Sequence, residues 1–118
     1  MAARIDRVRT QGVFTLDGQS FDVQNNVWLV GDEHEVLVID PAHDDAAIVE
    51  GIAGRRVLTI VCTHGHNDHI NAAVDLAERV DAPVWLHPDD RMLWDQVHPG
   101  RPPDGDLVHG GLVAAGGV

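Results

Sequence analysis

Residues 57–62, Val57-Leu58-Thr59-Ile60-Val61-Cys62, form an apolar run that does not alternate with polar residues. Such a run reads as a strand buried on both faces, as in parallel sheets covered by helices. The next residues, Thr63-His64-Gly65-His66-Asn67-Asp68-His69, hold three histidines and an aspartate within six consecutive positions. Gly65 provides for a tight turn, and a helix is expected from Asp68 or His69. Four metal-ligand side chains therefore share one strand-to-helix loop. In open α/β sheets, ligands bind at that end of the strands.

The spacing has a chemical reading. His64 and His66 are one residue apart, so in an extended segment their rings point the same way and can share a metal ion. Asp68 and His69 follow a turn and can face a second ion. Imidazole suits zinc, iron and similar metals, and a carboxylate beside it favours a site with open positions. Two such ions would bridge a water and make hydroxide available near neutral pH. Asp68 would bind one metal and orient that hydroxide, which makes it the catalytic candidate. The competing reading is a histidine-rich polar loop without chemistry.

His64-x-His66-x-Asp68-His69 after an apolar strand resembles the signature of the metallo-β-lactamase-fold hydrolases. Three more stretches resemble that family's strands: Asn25 to Asp32, Val36 to Pro41 and Pro83 to Pro88. Within it the chain looks most similar to the glyoxalase II-like branch. The resemblance implies an α/β fold, a four-layer αββα sandwich. Residues 1–118 would form its N-terminal half as one domain. It implies that Asp40 buttresses the metal loop and that His64, His66, Asp68 and His69 are metal ligands. The cofactor is then zinc, in two ions, with iron or manganese as alternatives. It also implies that a second half supplies a further histidine to the first metal, and a bridging aspartate and a histidine to the second. The sequence departs from the family where Ala42-His43 and Ile70-Asn71-Ala72-Ala73 replace commonly glycine-containing positions.

Composition narrows the partners. The net charge is -11 and all eight basic residues are arginine, which weighs against a nucleic-acid partner. The N-terminus lacks the apolar core of a secretory signal, and no apolar run approaches a membrane span. The single cysteine, Cys62, has no internal partner, which fits a reducing compartment, and the cytoplasm is expected. Cys62 shares a strand face with His64, so it is a ligand or, as preferred, a small buried core residue.

Along the chain, Ile5 to Phe14 reads as a strand or strand pair, Asp17-Gly18 as a hairpin turn, and Phe21 to Val30 as a strand. Glu35 to Asp40 pairs with it across a polar turn in which His34 is exposed. Asp44 or Asp45 caps a helix over Ala46 to Ile52 that ends by Gly54. His43 is assigned to the surface or the surroundings of the metal site rather than to ligation. Arg55-Arg56 reads as a solvated turn. Ile70, Ala73, Val74, Ala77 and Val80 predict one amphipathic helix from Ile70 to Arg79. Val84 to Leu86 is a short strand, and Asp90 to Val97 a short helix whose Met92, Leu93 and Trp94 are assigned to the core. His87 is assigned to a turn. His98 to Asp106 is a loop, with short strand pieces at Leu107 to His109 and Leu112 to Ala114. His109 is the one late histidine able to replace a missing ligand, a role its setting disfavours.

The leading expectation is a metal-dependent hydrolase acting on a small thioester or related ester through metal-bound hydroxide. The absence of a signal disfavours a secreted β-lactamase, acidity disfavours a nuclease, and histidine at position 66 disfavours a flavodiiron reductase. The alternative is a truncated or non-catalytic metal-binding half-domain. On the implied ligand count, the 118-residue chain alone is expected to turn over little or nothing.

Overall fold

A computed structural model describes residues 4–63 and 67–106, without the side chains of residues 14–16, 67, 68 and 106. One mixed sheet of six strands carries the chain in sequential order. β1 (Arg4–Leu16) and β2 (Gln19–Gly31) form a long hairpin around Asp17-Gly18, and β3 (Glu35–Ile39) adds antiparallel to β2. β4 (Arg56–Cys62), β5 (Val84–Leu86) and the short β6 (Gly105–Asp106) follow, each parallel to its predecessor. The α/β class and the positions of β2 to β5 agree with the sequence reading.

The β2–β3 turn is built by close approach. Gly31 has no room for a side chain, because a Cβ there would lie 2.0 Å from the Glu35 carbonyl oxygen. Asp32 Oδ1 then accepts the backbone N–H groups of His34 and Glu35 at 2.8 and 3.0 Å. This local loop leaves His34 exposed, as its sequence setting predicts.

Helix α1 (Asp45–Ile52) starts at Asp44, whose side chain accepts the Ala47 N–H, and closes at Ala53 with a φ of 55°. The two arginines that follow part company. Arg56 is exposed, but Arg55 is buried, which corrects the solvated-turn expectation. Its guanidinium donates to the carbonyls of Gly51, Ile52 and Asp32 and to the Asp6 carboxylate. Carbonyls left open at the end of α1 explain its burial: a helix C-terminus lacks internal donors and attracts a cation.

The predicted helix from Ile70 to Arg79 is broken in two. α2 (Asn67–Ile70) is one turn, and α3 (Ala73–Val80) is the amphipathic helix proper. Between them Asn71 Oδ1 accepts the His43 N–H at 2.6 Å, and the Ala72 N–H donates to the Pro41 carbonyl. These bonds to the β3–α1 loop replace helix continuation. A 3-10 turn (Pro88–Asp90) precedes α4 (Arg91–Val97). Of the three α4 residues assigned to the core, only Trp94 is fully buried. Leu93 is half-buried and Met92 is 72% exposed, because the helix is short and docks one edge. Trp94 Nε1–H donates to the Arg101 carbonyl, and His98 donates from Nε2 to the Ile70 carbonyl, fastening α4 beside α2.

The core lies on one face of the sheet. Val27, Leu29, Val36, Val38, Ile60, Cys62, Val84 and Leu86 alternate inward and meet Ile48, Ile52, Leu76 and Trp94. Each large side chain so buried contributes about 1.5–3 kcal/mol. The opposite face carries a register-matched row, Trp28–Ile39–Val61–Trp85, that is only partly buried. Trp28 and Trp85 are 39% and 36% exposed. β4 is therefore not buried on both faces as expected, since the helices cover only one of them. The strand pieces expected after Asp106, with His109, lie outside the described residues. Among the described residues no helix is long and apolar enough to cross a membrane.

The Asp32 turn makes stability depend on pH. The N–H groups of His34 and then Glu35 hold the Asp32 carboxyl below its ordinary value of 3.8. A depressed carboxylate stabilises the fold above its unfolded pKa, and that contribution is lost as pH falls through the folded value. Asp32→Asn should therefore be less stable than the parent near pH 7. In urea melts run at decreasing pH, the gap should close below about pH 4.

Candidate metal site

The site is assembled at the carboxyl ends of β3 and β4. β3 pairs only with Trp28–Gly31 of β2, so the outer part of the β1–β2 hairpin runs past the end of β3. One face of that overhang, with Thr10, Gly12, Val23 and Asn25, looks over the loops that follow β3 and β4.

Asp40 closes β3. Its backbone is left-handed, with a φ of 54°, and its N–H donates to the Val61 carbonyl on β4. This turn aims a buried carboxylate at the exit of β4. Oδ1 accepts the Thr63 N–H at 2.7 Å, and Oδ2 accepts the Thr63 hydroxyl at 2.6 Å. Oδ2 also takes the Nδ1 side of His69, at 3.2 Å. One carboxylate therefore anchors both sides of the loop that holds residues 64–66.

His69 is the predicted site residue whose side chain is described. Since Asp40 can only accept, Nδ1 carries the hydrogen, and in the neutral ring the lone pair is on Nε2. Asn25 Nδ2 stands 3.4 Å from that Nε2. His64 and His66 lie outside the described residues. The α2 backbone includes Asp68, but its side chain lies outside them. Among the described residues no three His, Cys, Asp or Glu side chains converge on one point.

Of the two placements the sequence leaves open for His43, the surface and the surroundings of the site, the structure shows the second. The His43 ring bridges Asn25 Oδ1 and Asn71 Nδ2, both at 2.8 Å. The asparagines were not singled out, because an isolated Asn carries no periodic or spacing signal. His87 takes the turn role assigned to it: its Nδ1 accepts the Asp89 N–H. Thr10, across the hairpin from Asn25, is 2% exposed, and its hydroxyl has no partner among the described residues.

Of the expected donors, His69 has the second partner that metal-ligating histidines ordinarily have: it gives its Nδ1–H to the Asp40 carboxylate. Cys62 does not belong to that donor set. It is fully buried in the core beneath the site, and burial, with the nearby Asp40 charge adding, pushes its thiol well above the usual range. It is the core residue preferred from sequence.

Residues 21–117 match the family model described as Metallo-beta-lactamase superfamily. An uncharacterized protein of Aquifex aeolicus is 31% identical over 106 residues, covering 79% of this chain and 50% of its own. A hydroxyacylglutathione hydrolase of Acidiphilium cryptum is 40% identical over 73 residues, covering 60% of this chain and 30% of its own. The chain thus spans half or less of the length of these two relatives. Among solved structures, the BLEG-1 B3 metallo-beta-lactamase superposes with a TM-score of 0.63 at 23% identity. That match covers 84% of this chain and 53% of that one. TTHA1623 in a di-iron-bound form gives 0.57 at 29% identity, covering 72% and 46%.

Two outcomes are expected of this geometry. Cys62 should resist a water-soluble thiol reagent in the folded protein and react at once in denaturant, because the thiolate is the reactive species. Asp40→Asn cannot accept from all three donors. It should lower stability by about 1–3 kcal/mol in urea unfolding, the cost of a buried group left unpaired.

Proposed function

The chain belongs to the metallo-beta-lactamase superfamily, and from that premise we propose that it forms the N-terminal half of a metal-dependent hydrolase domain acting on a small thioester or related ester. The observation that carries this reading is the Asp40–His69 pair, in which Nδ1 is bonded to the carboxylate and Nε2 of the neutral ring is the nitrogen left to ligate, beside the histidine-rich loop. His64 and His66 would hold one ion, and Asp68 and His69 a second. We take zinc as the metal, with iron or manganese as alternatives, since a di-iron form occurs among the structural neighbours. Such ions, when bound, polarise a carbonyl and lower the pKa of water toward neutrality.

The chain's own residues have separate duties in this reading. Asp40 fixes the hydrogen of His69 on Nδ1 and holds the loop through Thr63. Asp68 would hold one ion and orient the attacking water. The hairpin overhang restricts solvent on one side. The thioester preference leans on the hydroxyacylglutathione hydrolase among the relatives. We propose that the second half of the domain covers the Trp28–Ile39–Val61–Trp85 row, an apolar strip suited to burial. We assign a small-molecule substrate rather than nucleic acid, in keeping with the charge of -11, and a cytoplasmic setting, in keeping with one unpaired cysteine. The non-catalytic half-domain is not better supported than the hydrolase reading.

The test is metal content. His66→Ala and Asp68→Ala should each bind less zinc than the parent by elemental analysis after dialysis. Affinity should fall as pH drops, because ligating imidazoles must be neutral. Wild-type metal content in both variants would refute the ligand assignment. Hydrolysis of a thioester by a polypeptide that includes this sequence should disappear with either substitution, and activity confined to other ester classes would remove the substrate assignment.

A further inference from the structure

His43, Asn71 and Asn25 form a hydrogen-bonded chain ending at His69, and its direction can be read from both ends. At one end is a backbone N–H, which can only donate. The His43 N–H donates to Asn71 Oδ1 at 2.6 Å, so the Asn71 amide nitrogen faces the His43 ring. That nitrogen donates to His43 Nδ1 at 2.8 Å. His43 Nε2 then carries the hydrogen and donates to Asn25 Oδ1 at 2.8 Å. This turns the Asn25 amide nitrogen toward His69 Nε2, 3.4 Å away. At the other end is a carboxylate, which can only accept: Asp40 takes the hydrogen of His69 Nδ1. Both ends demand the same form of His69, with the hydrogen on Nδ1 and the lone pair on Nε2.

The surroundings are shaped to keep His43 in this bridge. Its φ of 65° lies in the left-handed region, rarely adopted by non-glycine residues. Its ring lies against β1 where Gly12 stands, and a Cβ at Gly12 would be 2.1 Å from His43 Nδ1. Backbone conformation, strand composition and two asparagine orientations therefore converge on one ring position.

We propose that His43 is a positioning residue: clamped by Asn71 and bonded to Asn25, it fixes the direction of the hydrogen-bond chain that keeps the hydrogen of metal-free His69 on Nδ1, so that Nε2 bears none when Asn25 gives way to an incoming ion. The inference rests on the metallo-hydrolase reading for its purpose, but its first readout needs no metal. Nitrogen-15 NMR of the metal-free protein reports which imidazole nitrogen of His69 bears hydrogen. The parent should show Nδ1–H. His43→Leu and Asn25→Ala should each raise the fraction of Nε2–H and weaken zinc binding about tenfold in competition with a chromophoric chelator. His43→Gln offers one amide donor and one acceptor and should restore most of the loss. The double variant should lose no more than either single one, because both break the same chain.

Circular dichroism identifies the folded variants. If His43→Leu does not fold, Asn25→Ala, which leaves the His43–Asn71 clamp intact, decides alone. An unchanged His69 form with unchanged zinc affinity in the folded variants would overturn the proposal. Equal losses with Gln and Leu would overturn it too, since bulk rather than hydrogen-bond direction would then matter. Absence of zinc binding by the parent would sink the metal reading instead, and the NMR arm would still decide the role of His43.

Discussion

The Asp40 carboxylate is the constraint on which this site depends. It sits where β3 stops, turned by a left-handed backbone toward the neighbouring strand. Its oxygens accept two hydrogens from Thr63 and one from His69, so it spans the loop between β4 and α2. A carboxylate accepts several bonds without offering a donor, and no neutral side chain of its size does the same. Removing that group would release the loop at both ends. Both flanks of the histidine-rich loop are therefore held by one residue of a different strand.

The sheet supplies the rest by being uneven in length. β1 and β2 each run 13 residues, whereas β3 has five and pairs with only four residues of β2. Among the described residues the excess hairpin pairs with no strand but its own, and one of its faces lies against the β3–α1 loop and α2. Thr10, Gly12 and Asn25 lie there, opposite His43 and His69. The same mismatch makes the break between α2 and α3 useful: Asn71 leaves the helix ladder and its side chain closes on the β3–α1 loop.

The sequence made the strand positions and the pairing of β2 with β3 legible because β-branched and aliphatic runs are bounded by clear turn residues. Asp44 as a cap and Asp17-Gly18 as a hairpin turn were legible for the same local reason. The misreadings share a cause in tertiary context. Periodicity continued the helix through Asn71 because it does not register a competing backbone donor from residue 43. Arg55 read as solvated because local sequence does not show open carbonyls at a helix end. β4 read as doubly buried because apolarity alone does not say which face is covered. Spacing singles out His69 as a candidate, but Asn25, which contacts it, is 44 residues away, a distance no local pattern bridges.

The resemblance and the structure meet at its departures. His43 and Asn71 stand in the two stretches where glycine is common in the resembled family. Glycine would satisfy the left-handed backbone at position 43 without strain. A histidine there adopts that conformation at some cost and needs a compensating contact. The structure provides one in the two-point clamp between His43 and Asn71, made by backbone N–H and ring nitrogen together. The space for the ring comes from a third position, Gly12, on a strand far away in sequence. Glycine has thus not been lost from this corner but sits on the opposite wall, where it admits a side chain instead of permitting a turn. The two replacements and Gly12 are then one feature: a loop held by side chains rather than by backbone freedom.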